Sequence, residues 1–465
     1  MKKSFAPLIL LILSIACSYG QGIKYEKTLG AALALSAKNS KPVFVLITMP
    51  PPANLGRTIN FANGFDQQDV VDFYNKKFNC YTVLREDTVG AKLVKEFHLT
   101  TFPAYLFMDA KGQILFKAGA PALMARNYID VANRALTTAS SGKTLSYYEQ
   151  LDKGGNITGD QLKEYITLRE DLEMYDNAKL ADEYVNFLMV RSFDDYNTVL
   201  FLYKAGPFAF GRTYGLLVNA NKKMSDSVFK REPATVRADI NNRMIVNTRN
   251  EAIKTKNPTM ASYAAQIASS SWGKNYREAS KASMVNMMTY YRGINDTLRY
   301  FQQAVSYYDN YFMNISADSA KKMQQKILED SFTRSTAKYD DIMANTPGNM
   351  ANVTRTLVGV HVTPGTQENL DVANKLNGGA YDFYTLGTHN TAYLLKALVW
   401  CRRAIELQSN NPGYYDTMAH IMYRLNFYEE AVLNQNKAIE LATNESKTEQ
   451  DHLKDELAKM RARQL

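Results

Sequence analysis

Lys41-Pro-Val-Phe-Val-Leu-Ile-Thr48 opens the stretch that decides the fold, and Thr100-Thr-Phe-Pro-Ala-Tyr-Leu-Phe-Met108, Asp109-Ala-Lys-Gly112 and Gln113 to Ala118 close it. Val43 to Ile47 contains no polar residue to alternate with the apolar ones. A strand covered on both faces has that pattern. Between the two ends, Asp66 to Phe78 places Val70, Phe73, Tyr74 and Lys77 at helical spacing, with the lysine stem at the edge. Tyr81 to Leu84 predicts a second strand, and Thr88 to Phe97 a short helix with Val89, Leu93, Val94 and Phe97 on one side. A strand, a turn and a strand follow from Ala104 to Ala118. A closing helix spans Ala122 to Leu136, and a lead-in helix covers Leu29 to Ala37. Strands and helices alternating with connections this short predict an α/β layer structure.

The chain has 465 residues, 46% hydrophobic and 22% charged, which is ordinary globular usage and enough for a sizeable core. Residues 1–20 have the pattern of a secretory signal. Lys2 and Lys3 lead, Leu8 to Leu13 form a short apolar centre, and Ser18 and Gly20 fit a cut that leaves Gln21 first. The rival is a lipoprotein signal cut before Cys17, which would anchor the chain by lipid. Ser14 stands where such signals usually carry Leu. Exported localisation, in the periplasm or outside the cell, is the expectation, with a lipid anchor to the envelope as the alternative. No later stretch reaches the roughly 18 apolar residues of a membrane span.

Loss of Lys2 and Lys3 lowers the net charge from +9 to +7. The remaining Lys and Arg are interleaved with Asp and Glu, which argues against a nucleic-acid groove. Cleavage after Gly20 leaves Cys80 in a predicted strand and Cys401 in a predicted helix, both expected as buried free thiols rather than a disulfide framework.

The order Lys41–Thr48, Gly64–Phe78, Thr101-Phe-Pro103 and Asp109–Gly112 resembles the thioredoxin-like family over about a quarter of the chain. The resemblance implies that Pro103 sits in a cis-proline loop. It also implies that Phe102, the residue before it, offers its backbone to an extended peptide by strand addition. The family's Cys-x-x-Cys would fall within Thr48-Met-Pro-Pro-Pro-Ala-Asn-Leu-Gly56, near Pro52 and Leu55. Neither residue can form a thiolate, so two-thiol exchange is excluded at that place. What the resemblance leaves is a partner groove floored by Pro51, Pro52, Phe102 and Pro103; the favoured reading is that Pro103 simply completes the fold. His98 lies near this loop without any metal-type spacing around it.

Thr137-Thr-Ala-Ser-Ser-Gly-Lys143 is small and polar and is expected as a domain boundary. Beyond it the pattern is helical. Thr158-x-x-Gln161 is a capping box, and further helices are predicted around 261–268, 279–291, 297–313 and 317–328. The stripe Met284, Met287, Met288, Tyr290 and Tyr291 is compatible with a partner surface, but its spacing favours core packing. Glu170 and Asp171 are expected on a solvated helix face.

Ala404-Ile-Glu-Leu407 recurs as Ala438-Ile-Glu-Leu441, and Ala397 recurs as Ala431, at an interval of about 34 residues. Tyr415, Ala419, Ala431 and Ala438 take the aromatic and small positions of a motif similar to tetratricopeptide repeats. Trp400 and Tyr423 fill the space between hairpins, and Glu445 to Leu465 is a charged capping helix. The predicted organisation is a signal peptide over 1–20, a thioredoxin-like domain over 21–142, a helical domain over 143–370 and repeats with a cap over 371–465.

No His-x-x-x-His, Gly-x-Ser-x-Gly or phosphate-cradling loop is present, and no cofactor or metal is implied. The leading expectation is an exported, non-catalytic scaffold that holds a protein or an extended peptide. The alternatives are a thiol-disulfide oxidoreductase or chaperone-like factor working through Cys80 or a partner's thiols, and a structural element of a surface complex anchored at Cys17.

Overall fold

The computed structural model describes residues 22–49, 64–119, 125–329 and 371–465. It divides into two compact units, one ending at Arg243 and one beginning at Met244.

The first unit starts as an α/β layer. Helix α1 (Leu29–Asn39) leads into β1 (Val43–Thr48), then α2 (Gln68–Lys77), β2 (Asn79–Leu84), α3 (Thr88–Glu96), β3 (Ala104–Met108), β4 (Ile114–Gly119) and α4 (Ala125–Ser141). The strand order is β2-β1-β3-β4; β1 runs parallel to β2 and antiparallel to β3, and β3 antiparallel to β4. This is an α/β layer, as the order of elements predicts. The alternation along each strand sorts side chains onto two faces. Phe44, Tyr105, Phe107 and Phe116 face Val70 and Tyr74 of α2 and Tyr128 of α4. Val43, Val45, Ile47, Leu106 and Met108 face Ala32 of α1 and Leu93 of α3. Phe44 is the centre of an aromatic cluster, 4.8 Å from Tyr74 and 5.2 Å from Phe107 between ring centroids. The N-terminal part of the predicted closing helix, Ala122 to Met124, lies outside the described residues.

Helices α5 (Leu145–Lys153), α6 (Gly159–Asp171), α7 (Ala178–Tyr184), α8 (Tyr196–Lys204), α9 (Arg212–Ala220) and α10 (Lys222–Arg231) complete the first unit. Leu172, at the end of α6, joins the same apolar cluster as Val45 and Leu106. Two expectations change here. The closing helix does not end at Leu136: Thr137 to Ser141 are the last residues of α4, and the chain turns at Gly142 with φ +67°. Glu170 is not on a solvated face: its Oε1 lies 3.2 Å from Arg243 Nη1, with both side chains largely buried.

Helix α11 (Ala234–Thr255) spans the division. The second unit is helical: α12 (Pro258–Ser270), α13 (Tyr276–Gly293), α14 (Thr297–Tyr311), α15 (residues 317–329), α16 (Asp371–Thr385), α17 (Thr391–Leu407), α18 (Pro412–Arg424), α19 (Tyr428–Leu441) and α20 (Lys447–Ala462). From α16 onward the connections span only a few residues, so packed neighbours in sequence are antiparallel hairpins. Asn390, Asn411 and Ser446 cap the starts of α17, α18 and α20 with side-chain oxygens. Trp400 is fully buried and donates Nε1–H to Asp309 Oδ1 at 2.9 Å, while Lys396 Nζ donates to Oδ2 at 2.6 Å.

The terminal helix docks through a buried polar network. His420 Nδ1 lies 2.8 Å from the Asp416 carbonyl oxygen, and Nε2 lies 3.2 Å from Glu456 Oε2. Lys459 donates to Glu456 Oε1 at 2.6 Å. Burial alone pushes the Glu456 carboxyl up, but hydrogen bonds from Lys459 and His420 outweigh it and hold the group below its ordinary value. A carboxyl held low in the folded state stabilises above its unfolded value, near 4.3, and that contribution is lost as pH falls through the folded value. Thermal melts are expected to show Glu456→Gln less stable than wild type at neutral pH, with the difference closing below about pH 4.

Gly378 and Gly379 of α16 provide a second test. A Cβ on Gly378 meets nothing within 4 Å, whereas one on Gly379 would come 2.4 Å from Tyr308 Cε2. That ring is backed by Trp400, with centroids 4.9 Å apart. Gly378→Ala is expected to stabilise by up to about 1 kcal/mol through helix propensity. Gly379→Ala is expected to destabilise by about 1–3 kcal/mol through overpacking. Chemical denaturation distinguishes them.

Candidate partner-binding site

In the α/β layer, the candidate surface lies off the C-terminal ends of β1 and β2. Ile47 pairs with Ala104, so Phe102 and Pro103 lie just beyond the end of β1. The Phe102–Pro103 peptide bond is cis. Thr48 accepts a backbone hydrogen bond from Arg85 N–H at 2.8 Å, which ties the end of β1 to the turn after β2. The Arg85 guanidinium lies over the Phe102 ring, 5.3 Å from its centroid, and its Nη1 is 3.8 Å from Met49 Sδ. Phe102 is half-buried against the apolar cluster beneath it, while Met49 is exposed. Pro51 and Pro52 lie outside the described residues. The described part of the surface is therefore an apolar ledge of Met49, Phe102 and Pro103 with one cation. It holds no nucleophile.

Cys80 does not reach this ledge. Cys80 is near the start of β2, paired with Phe44, and four residues from Leu84, about 13 Å along a strand. It is 2% exposed. Burial, with a smaller push from Glu26, raises its pKa to about 12 against a lowering effect of Lys41. Cys401 is fully buried, and burial pushes its thiol up as well. His98 is exposed at the end of α3 with φ +50°. Among the described residues, no group of three or more His, Cys, Asp or Glu is placed to hold a metal, and no helix is long and apolar enough to cross a membrane.

Two residues near the ledge escaped the sequence reading. Arg85 looks like an ordinary turn residue, and nothing local indicates that it covers Phe102. Lys117 sits in the apolar run Ile114-Leu-Phe-Lys117 and is 6% exposed. Its Nζ donates to the Phe97 carbonyl at 3.0 Å and lies 3.8 Å from Glu173 Oε2. Burial lowers its pKa, partly offset by Glu173.

In the helical unit, Ala397 and Ala404 lie on α17, Ala419 on α18, and Ala431 and Ala438 on α19. All five are fully buried. Tyr415 is half-buried; its hydroxyl donates to the Ser409 carbonyl at 3.0 Å. Of the Met and Tyr stripe on α13, Met288 and Tyr290 are buried, while Met284, Met287 and Tyr291 are partly buried against apolar clusters.

No protein-family model matches the chain, and no curated protein matches it. Among solved structures it is similar to a chain titled "Crystal Structure of P58(IPK) TPR Domain at 2.5 A". The identity is 12%, covering 73% of this chain and 98% of that one, with a TM-score of 0.17. The repeat character therefore rests on the short helical hairpins and on the alanines that recur in α17 and α19.

The thiol environment yields a direct test. With a pKa near 12, only about one Cys80 in ten thousand is thiolate at pH 8. Iodoacetamide is expected to label neither cysteine in the native protein and both after denaturation. Native labelling within minutes contradicts the burial of both thiols.

Proposed function

We propose that this protein is an exported, non-catalytic scaffold that binds a protein or an extended peptide. The thioredoxin-like domain spans 21–142, a helical domain 143–370 and the capped repeats 371–465. The observation that supports it most is the run of helical hairpins in α16 to α20, with fully buried alanines where helices meet. Stacks of this type present continuous surfaces that suit extended segments. The ledge of Met49, Phe102 and Pro103 is a second contact surface. Cys17 is the point of attachment if the chain is lipid-anchored rather than released into the periplasm or medium.

The oxidoreductase reading needs a reactive thiol. The buried, protonated state of Cys80, far from the ledge, weighs against it. The discriminating experiment compares the full mature chain with a Cys80→Ser, Cys401→Ser double variant in insulin reduction and in crosslinked capture from envelope fractions. The expected result is no reduction by either protein and the same captured partners for both. Insulin reduction that depends on Cys80, or a partner set that vanishes in the double variant, overturns the scaffold reading.

A further inference from the structure

The second unit contains a groove along α13. One cavity, of about 370 Å³, is lined by residues that include Arg277, Lys281, Tyr311, Phe312 and Met323. Another, of about 350 Å³, is lined by Val285, Met288, Arg292, Tyr307, Tyr308 and Lys375 among others. Both lie along α13, and Phe312, which lines the first, has a lysine of each over its ring. Lys281 of the first holds its Nζ 5.5 Å from that ring's centroid, and Lys375 of the second holds its Nζ 5.6 Å from it.

The charges in the groove are not equivalent. Lys281 is paired with Glu278 at 3.0 Å, Lys375 with Asp371 at 2.6 Å, and Arg292 with Asp382 at 2.9 Å. Arg277 has no acid within 4.0 Å among the described residues. Its guanidinium lies 5.0 Å from the Tyr311 ring centroid, with a long 3.5 Å hydrogen bond to the Tyr311 carbonyl. The surplus charge is therefore one cation at the N-terminal end of the groove. The second cavity is walled mainly by apolar surface, with a methionine able to adapt to different side chains. Tyr276, the first residue of α13, is 80% exposed, and Trp272, in the connection before it, is 48% exposed. Trp, Tyr and Arg are the side chains that most often dominate binding energy at interfaces. A polyanion finds no continuous track, because acids of this chain already engage the other three cations.

We propose that the groove receives an extended segment of a partner protein carrying a carboxylate and an aliphatic side chain about five residues apart. Arg277 and Met288 are separated by eleven residues of α13, a rise of about 16 Å. An extended chain covers that distance in about five residues. The carboxylate pairs with Arg277, and the aliphatic side chain enters the cavity beside Val285 and Met288. This inference rests on the scaffold reading and names the partner chemistry that reading leaves open.

The test is selection of the full chain against a display library of random peptides about sixteen residues long. Enriched sequences are expected to place Asp or Glu about five positions from Leu, Ile, Met or Phe. A synthetic enriched peptide is expected to lose about tenfold or more in affinity with Arg277→Glu and with Val285→Lys. It should be unaffected by Leu433→Lys, an exposed position on α19. Changing the peptide's acid to Lys is expected to restore binding to the Arg277→Glu variant. Enriched peptides without an acid, or insensitive to Arg277→Glu, overturn this inference and leave the scaffold standing. Failure to enrich any peptide also overturns it, and partner capture then decides the scaffold reading separately.

Discussion

Covering both faces of β1 is the constraint on which the first unit depends. Its backbone is paired on one side by β2 and on the other by β3, so its polar main chain is satisfied within the sheet. Its side chains then divide between two apolar clusters, Phe44 on one and Val43, Val45 and Ile47 on the other. Neither cluster closes without helices: α2 and α4 cover the first, and α1 and α3 cover the second. Polar atoms at the margins are paired as well. Asn79, at the start of β2, exchanges side-chain hydrogen bonds of 3.0 and 3.1 Å with Asn39 at the end of α1. A sheet locked this way has rigid strand ends, and the apolar ledge projects from those ends.

The helical unit solves a different problem with different residues. Close approach of helices needs small side chains at the crossings, which the buried alanines of α17, α18 and α19 and Gly379 of α16 supply. Large rings then fill what the crossings leave. Phe383 stands 4.6 Å from Phe301 and 5.0 Å from Trp400. Some buried polar groups pair across helices, as Trp400 does with Asp309 and Tyr300 with Asp382.

How much of this was legible depended on whether the deciding partner lay nearby in sequence. β1 was readable because a short apolar run without polar alternation, entered at Pro42, suits a strand buried on both faces. The alanines of α17 and α19 were readable because they repeat. The end of α4 was not. Thr137, Thr138, Ser140 and Ser141 have the composition of a boundary, yet each hydroxyl donates to a carbonyl three or four residues back within the helix. Glu170 looked solvated because Arg243, which covers it, is distant in the chain. Lys117 was not singled out, because Phe97, whose carbonyl accepts its hydrogen bond, belongs to another element. The α13 groove was hidden only in part for that reason: most of its cations and rings lie on α13 and the adjacent α14, but Lys375 comes from α16, far along the chain.

The interactions joining α14 to α16 and α17 have a consequence for how this chain tolerates change. Tyr300 to Asp382, Asp309 to Lys396 and Trp400, and Arg403 to the Ile315 carbonyl all span residues 330–370. The docking of the later helices is therefore specified by contacts between residues 82 to 91 positions apart in the chain. A substitution at any one of these side chains acts on two distant stretches of sequence at once.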